Sequence, residues 1–128
     1  MLQRGLCGLT LLVLLCHNGV KAIDLTMCER QPAFLSCGDA TIKVLSVFYG
    51  RDDTTTCASV NTDNTNTACA LSDAISIAAT KCDGTALCQI IPHETFSDPC
   101  SGTSKYIRLS YDCVLPSTPP PSFTPYSS

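Results

Sequence analysis

Histidine is nearly absent from this chain, with two in 128 residues, and one of them, His17, sits in an apolar N-terminal stretch. A serine or cysteine nucleophile needs a base within hydrogen-bond reach, usually a histidine held by a third group. Only His93 remains for that task, so the chain does not read as an enzyme. The Cys-x2-4-Cys pairs of a zinc site are missing too, the closest cysteines being Cys82 and Cys88. No GxGxxG or GxxxxGK run is present to cradle phosphate. Asp52-Asp53 and Asp63-Asn64 lack the alternating oxygen spacing of a calcium loop. Asn61, Asn64 and Asn66 all fail at the third position of an N-glycosylation acceptor. No metal and no cofactor is expected.

Long hydrophobic runs are also absent. Residues 1–22, MLQRGLCGLTLLVLLCHNGVKA, carry Arg4, an apolar run from Leu9 to Cys16, and small residues Val20 and Ala22 at cleavage spacing. That is the pattern of a secretory signal. It is too short to span a bilayer, which takes roughly 20 apolar residues. The expectation is a secreted, extracellular protein with no membrane span, whose mature chain starts near Ile23. Beyond the signal stand six basic residues, Arg30, Lys43, Arg51, Lys81, Lys105 and Arg108, against eleven acids, a formal net charge of −5. Nucleic acid is therefore an unfavoured partner, because its binding relies on Lys and Arg clusters that neutralise phosphates.

What the chain does have is cysteine. Cys7 and Cys16 belong to the signal, which leaves Cys28, Cys37, Cys57, Cys69, Cys82, Cys88, Cys100 and Cys113. An even set in a secreted chain of this length implies four disulfides. Their pairing is open at this point, since eight cysteines allow 105 connectivities. One domain is expected over residues 23–114. Residues 115–128, LPSTPPPSFTPYSS, are rich in Pro, Ser and Thr and read as a disordered tail or linker.

Periodicity supplies the elements. TIKVLSVFYG, residues 41–50, is β-branched and aromatic and predicts a strand. KYIRLSYDC predicts a half-buried strand with Ile107, Leu109 and Tyr111 on one face and Tyr106, Arg108 and Ser110 on the other. AFLSC (33–37) and LCQII (87–91) are shorter strand candidates. LSDAISIAATKC, residues 71–82, predicts one helix capped by Ser72, with Leu71, Ile75, Ala78 and Ala79 along its buried stripe. RDDTTTCASVNTDNTNTAC between strand and helix is polar and pinned by Cys57 and Cys69.

Several polar residues lie beside half-cystines: Glu29 after Cys28, Arg51 at the end of the best strand, and Asp98, Gly102 and Lys105 around Cys100. Glu29 and Asp98 could be paired carboxylates for glycoside hydrolysis, but nothing in the sequence sets their separation or raises a pKa. Singly, each also has a plain reading as a turn residue or a surface charge.

Their order is more specific than any one of them. Cys28-Glu29, Tyr49-Gly50-Arg51, Cys82-Asp83-Gly84, Asp98-Pro99-Cys100-x-Gly102-Thr103-x-Lys105-Tyr106 and Tyr111-x-Cys113 together resemble the galactose- and rhamnose-binding lectin domain of the sea urchin egg lectin (SUEL) type. The resemblance implies an α+β fold, a small antiparallel β-sandwich with one main helix, stapled by Cys28–Cys57, Cys37–Cys113, Cys69–Cys100 and Cys82–Cys88. It implies calcium-independent binding of L-rhamnose- or D-galactose-type sugars in a shallow pocket. Glu29 and Asp98 would accept from sugar hydroxyls, and Lys105 and the Gly102 N–H would donate. Tyr49 would cover the apolar sugar face, while Gly50, Arg51, Pro99 and Thr103 would support the site. Lys105 is expected to serve the ligand with little share in stability. This chain departs from the family pattern at Arg30, usually glycine, at Phe48, commonly Asn, and in a shorter PHETFS loop before Asp98. The alternative is an adhesion- or receptor-type module of the same fold that binds a cell-surface protein.

Overall fold

The structure is a computed structural model that describes residues 22–115. The expected signal and tail lie outside these residues except for Ala22 and Leu115. In chain order the elements are β1 (Ile23–Cys28), β2 (Ala33–Ser36), β3 (Thr41–Arg51), β4 (Cys69–Ala70), α1 (Ala74–Cys82), β5 (Leu87–Ile90), α2 (Pro92–Thr95) and β6 (Tyr106–Val114). Four strands form one antiparallel sheet in the order β1-β6-β3-β4, and β2 and β5 form a second, two-stranded sheet. Both sheets and α1 contribute to a single core. Leu35, Ile42, Ile90, Ile107 and Leu109 are buried there with Ala78 and Cys82. Each fully buried aliphatic of this size stabilises by about 1.5–3 kcal/mol relative to exposure. The α+β architecture with one main helix and four disulfides is the one the sequence implied.

β3 does not alternate evenly. Its register against β6 shifts between Val44 and Ser46, so Leu45 is an extra residue that bulges from the ladder. A bulge reverses which parity faces inward. Ile42 and Val44 point to the core before it and Tyr49 after it, while Leu45 stays 45% exposed. The Val44 N–H is taken by Asp83 Oδ1 at 2.7 Å, which gives the Cys82-Asp83-Gly84 turn a structural task.

The helix corrects the expectation in two respects. It begins at Ala74 with Asp73 as N-cap and no side-chain capping bond, so Ser72 is not the cap. Its buried residues are Ala74, Ala78 and Cys82, and Ile75 is 42% exposed. The cause is covalent: the disulfide from Cys82 to Cys88 in β5 fixes which helical face turns inward.

All four disulfides occur as the family pattern implied: Cys28–Cys57, Cys37–Cys113, Cys69–Cys100 and Cys82–Cys88. Two of them bring the end of β1, the loop after β3, β4 and the segment before β6 to one end of the sheet. The polar residues of the motif meet there.

Candidate functional site

A cavity of about 470 Å³ opens at this end, floored by the Cys28–Cys57 disulfide and bordered by Glu29, Arg30, Asp98, Gly102 and Lys105. Four of the five residues that the resemblance named as binding sugar are thus brought together. Tyr49 is not among the lining residues.

Lys105 is the centre of the arrangement. It immediately precedes β6, and its side chain is buried except for a few per cent. Its ammonium donates to the carbonyl oxygens of Thr103 at 2.6 Å and Cys100 at 3.3 Å. It also lies 3.1 Å from Asp98 Oδ1 and 3.6 Å from Glu29 Oε1. Burial of a charge is tolerated because every N–H has an acceptor. The expectation that Lys105 has little structural role is therefore corrected: its donors are engaged by the protein itself.

The two carboxylates are held by one oxygen each. Glu29 Oε1 accepts the Lys105 backbone N–H at 2.6 Å, and the Glu29 N–H donates to the Lys105 carbonyl at 3.1 Å. Asp98 Oδ1 accepts the Cys100 N–H at 2.9 Å in an Asx turn. Desolvation pushes the Asp98 pKa up, but the Cys100 N–H and the Lys105 ammonium outweigh it and hold the carboxyl below its usual value. Glu29 Oε2 and Asp98 Oδ2 receive no protein hydrogen bond among the described residues, and both carboxylates border the cavity.

Gly102 turns the chain between Cys100 and Lys105 with φ +84°, the left-handed region where a side chain would be strained. Its carbonyl accepts from Asp63 N–H at 3.1 Å, and Asp63 O accepts from Ser104 N–H at 3.2 Å, which ties the loop after Cys57 to this wall. Thr103 is buried and its hydroxyl accepts from Asn66 Nδ2 at 3.3 Å. Pro99, half-buried, follows Asp98 and is not among the lining residues.

Tyr49 lies beneath the site, 1% exposed, with its ring stacked on Phe96 at 5.0 Å between centroids. Burial, then the nearby charges of Glu29 and Asp98, push its hydroxyl pKa well up. Its ring face is engaged by the core, so the expected cover for the apolar face of a sugar is absent, and the β3 bulge is the reason. Gly50, next in the chain, passes so close to β4 that a Cβ would stand 2.0 Å from the Cys69 carbonyl oxygen. Arg51 is fully buried and donates to the carbonyls of Ser104, Asp53 and Thr56 at 2.7, 2.7 and 2.5 Å. It buttresses the wall from behind without reaching the cavity.

Three contributors had no signal in the sequence reading. Ser59 and Thr62 line the cavity from the loop after Cys57, a position visible only once Cys57 is known to join Cys28. His93 holds the Glu29 carbonyl from α2, through its N–H at 2.9 Å and ring Nδ1 at 3.1 Å. A second cavity of about 480 Å³ lies on the outer face of the β1-β6-β3 sheet, beside Phe48 and Arg108. Its charged side chains are already engaged, Arg108 with Asp52 and Asp24 with the Ser110 hydroxyl. Arg108 also covers Phe48, 4.5 Å from the ring centroid.

A family profile described as the D-galactoside/L-rhamnose binding SUEL lectin domain matches residues 35–113. The chain belongs to that family. It is 37% identical over 94 residues to a rhamnose-binding lectin of Silurus asotus, covering 71% of this chain and 30% of that one. It is 34% identical over 87 residues to the L-rhamnose-binding lectin CSL1 of Oncorhynchus keta, again covering 30% of that protein. An adhesion G protein-coupled receptor L1 of Mus musculus is 34% identical over 120 residues, 86% of this chain and 8% of the receptor. The chain thus spans less than a third of the length of each of these relatives.

Proposed function

We propose that this domain is a non-enzymatic lectin that binds an L-rhamnose- or D-galactose-type pyranose in the cavity between Glu29, Asp98, Gly102 and Lys105. The observation that carries the reading is the pair of half-used carboxylates. Each has one oxygen pinned by a main-chain N–H and the other without a protein donor, so vicinal sugar hydroxyls can donate to both. Charge-assisted bonds of this kind are stronger than neutral ones. Lys105 fixes the spacing of the two acids, and the Gly102 N–H, which has no protein acceptor among the described residues, supplies a donor for a ring or hydroxyl oxygen. The names of the lectin relatives support the sugar class. Binding is read as calcium-independent, because Lys105 and main-chain N–H groups do the positioning that a cation would otherwise do. Secretion follows from the leader-like residues 1–22.

With no aromatic ring among the described residues that line the cavity, single-site affinity is expected near 1 mM, about −4 kcal/mol. Useful avidity then needs several sites presented together. The test is inhibition of glycan-array binding by free L-rhamnose and D-galactose, using multivalently displayed protein with and without chelator. Inhibition by millimolar sugar that is indifferent to chelator supports the reading; no inhibition by either sugar refutes it.

A second reading, a module for a cell-surface protein, draws on the adhesion-receptor relatives and on one surface. Phe34 and Leu87, 56% and 66% exposed, stand on the outer face of the β2-β5 sheet, away from the cavity. Substituting both with serine separates the two readings, since only protein capture should suffer.

A further inference from the structure

Arg30 stands apart from every other cation of the described domain that lies near the cavity. Lys105 is buried and bonded on all sides, and Arg51 is buried with three carbonyl partners. Arg30 lines the cavity, is solvent-exposed, and makes no hydrogen bond or ion pair among the described residues. It follows Glu29 directly, in the turn that the Gln31 N–H closes onto the Cys28 carbonyl at 2.9 Å, so its backbone position is fixed while its guanidinium is uncommitted.

Its charge also reaches Tyr49, buried beneath the site. Burial, Glu29 and Asp98 raise the Tyr49 pKa, and Arg30 is the group that opposes them. The ionisable groups bordering the cavity are two carboxylates, Glu29 and Asp98, and two cations, Lys105 and Arg30. Lys105 is spent on holding the carboxylates. Without Arg30 the mouth would be net acidic and would repel an anion, in a chain whose formal charge is already −3. With it, a planar, unpaired guanidinium sits beside the hydroxyl-binding acids, and a guanidinium fork matches a carboxylate or sulfate in two parallel bonds.

We propose that Arg30 makes this a site for anionic saccharides: a galactose-type ring held by Glu29 and Asp98, carrying a carboxylate or sulfate that pairs with the Arg30 guanidinium at the rim. This rests on the lectin reading above and narrows its ligand class. The pairing is exposed, so its contribution is that of a surface ion pair and is screened by salt.

The test measures three glycosides on one protein by titration: methyl galactoside, methyl galacturonide and 6-O-sulfated methyl galactoside. Wild type is expected to bind at least one of the anionic glycosides about fivefold more tightly than the neutral one at low salt. That ratio should shrink toward one at about 1 M salt, where the screening length is near 3 Å. In Arg30→Gln the ratio should fall to about one, and in Arg30→Lys part of it should return, with melting curves checking that both variants are folded. Which anionic arm shows the preference assigns the charge to a uronic acid or to a sulfate ester. Galactoside binding with no anionic preference, or a preference that survives in Arg30→Gln, overturns this inference alone. Failure to bind any of the three overturns this inference, and the lectin reading falls with it only when methyl rhamnoside, titrated alongside, also fails to bind.

Discussion

Glu29 grips the Lys105 main chain twice, once with its side chain and once with its own backbone: the Lys105 N–H donates to Glu29 Oε1 at 2.6 Å, and the Glu29 N–H donates to the Lys105 carbonyl at 3.1 Å. The end of β1 and the start of β6 are thereby joined at the point where the candidate site begins. The same residues that would meet a ligand close the sheet, so site and scaffold are not separable here.

Lys105→Ala should therefore lose sugar binding and stability together. Removing the ammonium leaves the Thr103 carbonyl without its donor and takes the counter-charge from Glu29 and Asp98, at a cost of about 1–3 kcal/mol. For a domain of this size each kcal/mol lowers Tm by about 4–8 °C. Thermal melting checks this, and an unchanged Tm would return Lys105 to a purely ligand-facing role.

Tyr49 separates ring from hydroxyl. Tyr49→Phe keeps the stack on Phe96 and should hold both sugar affinity and Tm close to wild type. Tyr49→Ala removes a buried ring and should cost about 3–5 kcal/mol. Strong loss of sugar binding in a stable Tyr49→Phe protein would show that the hydroxyl reaches the ligand after all.

Gly50→Ala should be among the most damaging single changes. The added Cβ meets the Cys69 carbonyl oxygen at 2.0 Å, and that contact is backbone, which cannot rotate away. Separation of β4 from β3 would displace Cys69 and the wall that its partner Cys100 carries. A loss of about 3 kcal/mol is expected from overpacking of this kind, read as a lower melting midpoint and a greater share of mispaired disulfides on peptide mapping.

Acid should weaken the fold through Asp52. Hydrogen bonds from Arg108 and from the Tyr106 hydroxyl hold its pKa at about 2, against 3.8 in an unstructured chain. A depressed folded pKa gives stability that is complete above the unfolded value and is lost as pH falls through the folded one. Tm should be flat from pH 8 to 5 and decline between about pH 4 and 2. The decline should be shallower in Asp52→Asn, whose Tm at neutral pH should already be lower. Because this carboxylate is nearly half exposed, the effect is expected to be modest.

The strands that carry dense β-branched sequence, β3 and β6, were legible from composition and alternation. β1 was not, because IDLTMC is a half-exposed edge strand with no clean alternation to mark it. The Leu45 bulge left no sequence mark either, and it decides that Tyr49 faces inward with Phe96 while Phe48 joins the outer face under Arg108. Glu29, Asp98, Gly102 and Lys105 were legible as a group only through their order along the chain, since spacing alone leaves the disulfides unpaired. Ser59, Thr62 and His93 reach the site through those disulfides and through α2, tertiary facts that no local pattern encodes.

The central claim is tested most directly by mapping amide chemical-shift changes while D-galactose or L-rhamnose is titrated into isotopically labelled, fully oxidised protein. Saturable shifts at Glu29, Arg30, Gly102 and Lys105, with an affinity near 1 mM and no change around Phe48 and Arg108, are the predicted result. Absence of saturable shifts with either sugar, or shifts confined to the Phe48–Arg108 face, would contradict it.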